Sequence, residues 1–279
     1  MKGLMLRLST GIVFVAVMLG GLLGGIYPFL LLFAVITSGC LWEFYGLTKD
    51  PSESQAQHRQ RKILALLVGL VPYLYLVGVH LKWWASDTAL AHAFLLYLPL
   101  AFALFLYELF QTSELPFTKI ANNIIGHIYI GLPFAALQLL AFWDGTFDTS
   151  IILGLLILTW TNDTAAYLVG SQIGKTPLFP RISPKKTWEG TMGGVLICLG
   201  MSYLLSRFYT GIAVSDWLIL GLIVVVFGSL GDLVESMLKR SLKIKDSGNL
   251  LPGHGGMLDR FDAFIFLIPF AAAYVLLMR

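Results

Sequence analysis

The feature that most constrains this chain is a succession of apolar runs, each close to the roughly 20 residues a helix needs to cross a bilayer. Nine such runs are centred near Met18, Ala34, Leu70, Pro99, Phe134, Leu156, Cys198, Val224 and Pro269. The chain is 57% hydrophobic and only 13% charged, with a mean hydropathy of +0.79, whereas soluble domains carry about 25% charged residues. The expected fold class is therefore all-α: a polytopic membrane helix bundle of about nine transmembrane helices. The second run is the weakest, because GGIYP between the first two also suits a re-entrant hairpin. Lys2 and Arg7 ahead of the first run resemble the head of a signal peptide, but no A-x-A-like cleavage site follows, so a retained anchor is expected.

The charges settle an expected orientation. Sixteen of the 19 Lys and Arg residues fall in alternate gaps between the runs, leaving only Lys82, Arg207 and Arg279 for the other face. By the positive-inside rule the N-terminus lies in the cytoplasm and the C-terminus outside. A net charge of +3 is too small for a nucleic-acid binder. Cys40 and Cys198 lie inside apolar runs and read as packing residues rather than a disulfide or metal pair. The polar stretch Lys49–Lys62 reads as a plain cytoplasmic loop. Glu43 and Glu108 read as side chains reaching from span ends to the interface, and His80, His92 and His127 have no partner spacing.

Chemistry concentrates in SMLKRSLKIKDSGNLLPGHGGMLDRFD, residues 236–262. Just before and into it, Asp232, Glu235, Ser236 and Lys239 fall at i, i+3, i+4 and i+7, one polar stripe on a helix. Asp259 and Asp262 repeat the spacing at the head of the last run. A bland alternative makes these acids interfacial partners of Lys239, Arg240 and Arg260. Between the stripes, Gly248, Gly253, Gly255 and Gly256 allow close backbone approach, and Lys243 and Lys245 add positive charge. Carboxylates for a divalent metal beside cations for phosphate are what phosphoryl or nucleotidyl transfer requires. No GxxxxGK[ST] loop is present.

Two further segments are candidates. In TPLFPRISPKKTWEGTMGG, residues Ser183, Lys185, Lys186 and Thr187 precede a helix start, where an anion would be attracted; ordinary interfacial charge with Trp188 as an aromatic anchor is the plainer reading. In LTWTNDTAAYLVG, Asn162 suits a helix-packing hydrogen bond, while an acid such as Asp163 inside a membrane run more often serves function.

The pattern S-x-x-K-R-x-x-x-x-K-D followed by P-x-H-G-G-x-x-D-R-x-D resembles the signature of CDP-diacylglycerol synthases, also called phosphatidate cytidylyltransferases. It reads here as Ser236, Lys239, Arg240, Lys245, Asp246, Pro252, His254, Gly255, Gly256, Asp259, Arg260 and Asp262. The resemblance extends to GDLVES and, more loosely, to NDTAAYLVG and SPKKTWEG. It implies transfer of a cytidylyl group from CTP to phosphatidate, giving CDP-diacylglycerol and pyrophosphate. It implies catalytic roles for Lys239, Arg240, Asp246, His254, Arg260 and Asp262. Substrate contacts would come from Asn162, Asp163, Ser183, Lys185, Lys186, Thr187, Lys245, Gly255 and Gly256, and Mg²⁺ would sit on Asp232 and Asp259, with room for a second cation. His254 stays open between an acid to the leaving group and a phosphate-binding or loop-ordering residue.

The implied partners are CTP, phosphatidate and membrane lipid, without nucleic acid; a homodimer is left open. The implied place is a bacterial plasma (inner) membrane, multi-pass, with the active site facing the cytoplasm. Residues 1–120 are expected to form N-terminal transmembrane helices and 121–279 a catalytic region with cytoplasmic loops at 171–189 and 236–260. The rival from another class is an ion- or proton-coupled secondary transporter, which tends to carry inverted repeats and midplane acids. No repeat is visible here, and the acids cluster at one face. A lipid-binding scaffold without turnover would not require the carboxylate and phosphate-loop array.

Overall fold

Within hydrocarbon a backbone can satisfy its polar groups only internally, so long apolar runs are driven into helices. The computed structural model describes residues 2–49, 53–84, 89–111, 113–248, 250 and 255–277, and each expected run centre falls in a helix. These are α1 Lys2–Leu23, α2 Ile26–Leu47, α3 Gln55–His80, α4 Ala89–Leu109, α5 Pro116–Ala141, α6 Ser150–Ile173, α7 Trp188–Phe208, α8 Val214–Ser241 and α9 Leu258–Leu277. Among the described residues, 7 helices are long and apolar enough to cross a membrane, all but α1 and α4, whose apolar parts are the shorter Ser9–Leu23 and Phe94–Leu109. The chain is a predominantly helical, multi-pass membrane protein. The doubtful second run is one continuous helix, joined to the first at Gly25, whose φ of 97° favours glycine.

One departure from all-α is a small antiparallel hairpin, β1 Pro177–Phe179 and β2 Ser183–Thr187. Its signals, three prolines and two lysines in eleven residues, read as a loop because neither strand is long enough to show alternation. Pro72, Pro99 and Pro269 lie inside helices, as membrane helices tolerate. α5 and α8 each contain a π-helical turn, at His127–Gly131 and Val224–Gly228.

The chain gathers into two compact units: Met1–Gln138 with Asp246–Arg260, and Leu139–Lys245 with Phe261–Arg279. In the first, α3 packs against α2 and α4. The Tyr73 hydroxyl donates to the Leu30 carbonyl at 2.8 Å, and the Gln138 amide donates to the Tyr73 carbonyl at 2.9 Å. Ser54 caps α3 in a capping box with Gln57. Glu108 does not reach out to the interface as expected: it is buried, with Arg61 Nε 3.8 Å from its carboxylate and Arg61 in turn paired with Glu53. A charge this deep needs a partner, and Arg61 supplies it from the stretch expected to be a plain loop, whose residues 55–62 instead form the start of α3.

In the second unit α6 and α7 make the most extensive helix pairing. Lipid tails are as apolar as leucine, so helices associate in a bilayer through close packing of small residues. Gly190, Gly193 and Gly194 of α7 provide it: a Cβ at Gly190 would stand 2.7 Å from the Ala166 carbonyl oxygen and one at Gly193 2.6 Å from Val169. Trp217 of α8 is fully buried over Gly154 of α6, and the Phe227 and Phe270 rings stack between α8 and α9.

Candidate active site

In the second unit a cavity of about 440 Å³ is lined by residues of α6, β2, α7 and α8, among them Asn162, Asp163, Tyr167, Lys185, Lys186, Thr187, Thr191, Ser229 and Asp232. Each element arrives for a local reason. Glu189 in the first turn of α7 reaches back so that its carboxylate accepts from the Lys175 amide at 3.1 Å and the Thr176 hydroxyl at 2.9 Å, closing the hairpin onto the helix. Thr187 is the N-cap, its hydroxyl accepting from the Gly190 amide at 3.2 Å. The chain therefore enters α7 with Lys185, Lys186 and Thr187 along the cavity wall, at a helix N-terminus that favours anions. Ser183 pairs with Phe179 at the far end of the hairpin and is not a lining residue.

On α8, Asp232 forms an ion pair with Lys186 and accepts from the Ser236 hydroxyl at 3.3 Å, while the fully buried Glu235 pairs with Lys239. Asp262 of α9 joins them: one carboxylate oxygen from each of Asp232, Glu235 and Asp262 lies within 4.8 Å of the others. Three carboxylates so close repel unless a proton or a cation is shared, and all-oxygen donors suit a hard divalent ion. The residues present fit such an ion. Lys186 pairs with Asp232 and lines the same cavity as Asp163, close enough for its charge to act on that carboxylate. Asn162 is buried, with its side-chain oxygen against Gly194 at the α6–α7 contact.

The signature loop, residues 246–258, belongs to the first unit. There Asp259 Oδ2 accepts from the Ser247 and Gly256 amides at 2.9 and 2.8 Å. Gly255 has φ 82°, and a Cβ on it would press to 2.9 Å from that same oxygen. The sequence expectation put Mg²⁺ on Asp232 and Asp259; Asp232 lies in the carboxylate cluster, and Asp259 Oδ2 takes the two loop amides. Arg240, Lys245, Asp246 and Arg260 are exposed, and Arg240 reaches only its own chain's Ile244 carbonyl, at 3.4 Å. Pro252, Gly253 and His254 lie outside the described residues.

Two participants had no assigned role in the sequence. Glu235 was only one position of a polar stripe. Glu43, expected to reach toward the interface, is buried, and its Oε2 accepts from the Ser247 hydroxyl at 3.2 Å and the Leu258 amide at 2.9 Å. An acid inside an apolar run was the one available signal; its partners lie more than 200 residues away.

An acidic cluster that fits a divalent ion, joined through Lys186 to a helix-capped cavity lined by two lysines and two aspartates on a membrane-helix scaffold, defines the class as a membrane enzyme of phosphate-group transfer. The cytidylyltransferase family model matches residues 5–278, and the chain belongs to that family. The phosphatidate cytidylyltransferase of Bacillus subtilis strain 168 is 33% identical over 268 residues, 95% of this chain and 94% of its own length. That of Staphylococcus aureus strain COL is 39% identical over 173 residues, 61% of this chain and 64% of its own, and that of Staphylococcus saprophyticus 37% over 188 residues, covering 67% and 69%. The transporter alternative finds no support in these relatives.

Proposed function

We propose that this chain joins CTP and phosphatidate to give CDP-diacylglycerol and pyrophosphate at the cytoplasmic face of a bacterial plasma membrane. The observation that carries the reading is the cavity wall where Lys185, Lys186 and Thr187 face Asp163 and Asp232. A phosphate oxygen of phosphatidate attacks the α-phosphorus of CTP. A new P–O bond forms, the bond from that phosphorus to the bridging oxygen of the β-phosphate breaks, and the electron pair leaves with pyrophosphate. The nucleophile is already an anion near neutral pH, since a phosphate monoester has its second pKa near about 6, so no protein base is required.

The side chains therefore position and neutralise. Lys185, Lys186 and the capped start of α7 bind phosphate oxygens, and Asp163 and Asp232 keep Lys186 aimed into the cavity. Asp232, Glu235 and Asp262 would hold a divalent cation, Mg²⁺ as the proposal, which supplies neutralisation of phosphate charge when bound. Room for a second cation belongs to the same proposal. Lys239, Arg240, Lys245 and Arg260 add positive charge for the anionic reactants, and Asp246, His254, Gly255 and Gly256 complete the signature loop. The nine helices as nine crossings, N-terminus in and C-terminus out, with residues 121–279 as the catalytic region, is the arrangement consistent with the Lys and Arg distribution.

The test is pyrophosphate release by the detergent-purified full chain given phosphatidate, CTP and Mg²⁺, with each component omitted in turn and a chelator control. Release that requires both substrates and the metal is expected. Absence of release across lipids, detergents and divalent cations would overturn the reading.

A further inference from the structure

The signature loop is held at both ends by one side chain that lies outside the signature. Glu43 sits on α2 at 8% exposure, and its Oε2 receives Ser247 at the start of the loop and the Leu258 amide at its end. Its other oxygen, Oε1, is buried without a hydrogen-bond partner among the described residues. A carboxylate in this position is costly to bury, and the hydrogen bonds from Ser247 and Leu258 offset part of that cost.

The glycines of the loop are shaped to this carboxylate. A Cβ on Gly248 would stand 2.5 Å from Glu43 Oε1, and the three atoms it would meet first all belong to Glu43. A Cβ on Gly256 would come within 2.4 Å of Glu43 Oε2. Neither glycine has a left-handed φ, so space, not backbone freedom, is what requires glycine there. One turn earlier on α2, Gly39 leaves room for Met257, whose sulfur would lie 2.9 Å from a Cβ at that position. On its other side the loop is gripped by Asp259 through the Ser247 and Gly256 amides. The loop is thus clamped between two carboxylates, one from α2 and one from α9.

We propose that Glu43 is a positioning residue for cytidylyl transfer: as a hydrogen-bond acceptor it ties Ser247 and Leu258 to α2 and so sets where Gly256 and Asp259 stand. The proposal rests on the reading of that loop as part of the transfer site. It predicts that acceptor capacity, not negative charge, holds the loop, the charge acting instead on Lys62 of α3. Glu43→Gln can keep a carbonyl oxygen in the Oε2 position for both donors and places its amide where Oε1 has no partner. Glu43→Ala removes the clamp, and a displacement of about 1 Å can cost about 100-fold in rate.

The experiment measures kcat and KM for CTP on the full chain in detergent, beside size-exclusion behaviour and peptide-level hydrogen exchange over 247–258. Glu43→Ala is expected to elute folded, lose about 100-fold in kcat with KM changed less than about 3-fold, and exchange faster in the loop. Glu43→Gln is expected to stay within about 10-fold of the parent in kcat and to keep slow exchange. Gly248→Ala is expected to lower kcat in the parent background and to add nothing in the Glu43→Ala background, because the atoms it meets are gone. Wild-type kcat in folded Glu43→Ala, a Glu43→Gln as inactive as Glu43→Ala, or additive Gly248→Ala effects would each overturn the proposal. Should Glu43→Ala fail to fold, fast loop exchange in Glu43→Gln or parental kcat in Gly248→Ala alone would overturn the proposal. If the parent releases no pyrophosphate, the function reading fails by itself, and unchanged loop exchange in Glu43→Ala or accelerated exchange in Glu43→Gln still refutes the clamp.

Discussion

Replacing Asp232 by Asn separates the two demands on the acidic cluster. Its carboxylate lies within 4.8 Å of those of Glu235 and Asp262, so at an effective dielectric of about 20 each like-charge pair is unfavourable by about 3.5 kcal/mol. Removing the charge relieves two such pairs but gives up the contact with Lys186, worth about 5–6 kcal/mol on the same scale at an ordinary ion-pair separation of about 3 Å. The Asp232 and Lys186 side chains are 36% and 30% exposed, so water screens both terms and the net change falls below about 1 kcal/mol. Asp232→Asn in chelator should therefore melt within about 4 °C of the parent. Mg²⁺ at about 100 times its dissociation constant should stabilise the parent by about 2.7 kcal/mol and the variant hardly at all. Turnover should fall by about 10³-fold or more, the several kcal/mol a bound metal contributes to transition-state charge. Thermal melts with and without Mg²⁺, read beside pyrophosphate release, check this. A variant that keeps the parent's Mg²⁺ shift would place the cation elsewhere, and one that unfolds in chelator would make the carboxylate structural.

Lys186→Gln should leave the stability within about 1 kcal/mol of the parent, since the lost pair is partly solvated. It should lower kcat/KM for CTP by about 10²–10³-fold, the scale of one lost donor to developing phosphate charge; saturation kinetics measure it, and a loss under about 3-fold would remove Lys186 from the site. Gly190→Ala puts a methyl 2.7 Å from the Ala166 carbonyl and 3.0 Å from Gly170 Cα, backbone on both counts. Over-packing of this kind costs about 1–3 kcal/mol and pries α7 from α6, so a melt lowered by about 2–4 °C per kcal/mol is expected together with lost turnover.

Much of this protein was legible in its residues. Every one of the nine apolar run centres lies in a helix, because in hydrocarbon the period of the sequence barely matters and only helices satisfy their own backbone. The family was legible for a similar reason: the twelve signature positions lie within 27 consecutive residues, and the chemistry they suggest needs no knowledge of packing. Lys185, Lys186, Thr187, Asp163 and Asp232 were each singled out locally, from charge and helix-start signals, and they line one cavity.

What tertiary structure decided is which acids meet and what each carboxylate does. Asp259 and Asp262 are one turn apart on α9 and indistinguishable by spacing, yet Asp262 joins Asp232 and Glu235 while Asp259 takes two loop amides. Glu43 and Glu108 both looked like acids reaching for the interface; burial beside Ser247 and Leu258 in one case, and beside Arg61 in the other, gave them opposite work. The reason is one of range. Helix formation and charge placement depend on neighbours a few residues away, whereas a carboxylate's role depends on the donors and charges that the folded chain brings within about 3–5 Å of it, and those come from segments up to 215 residues distant.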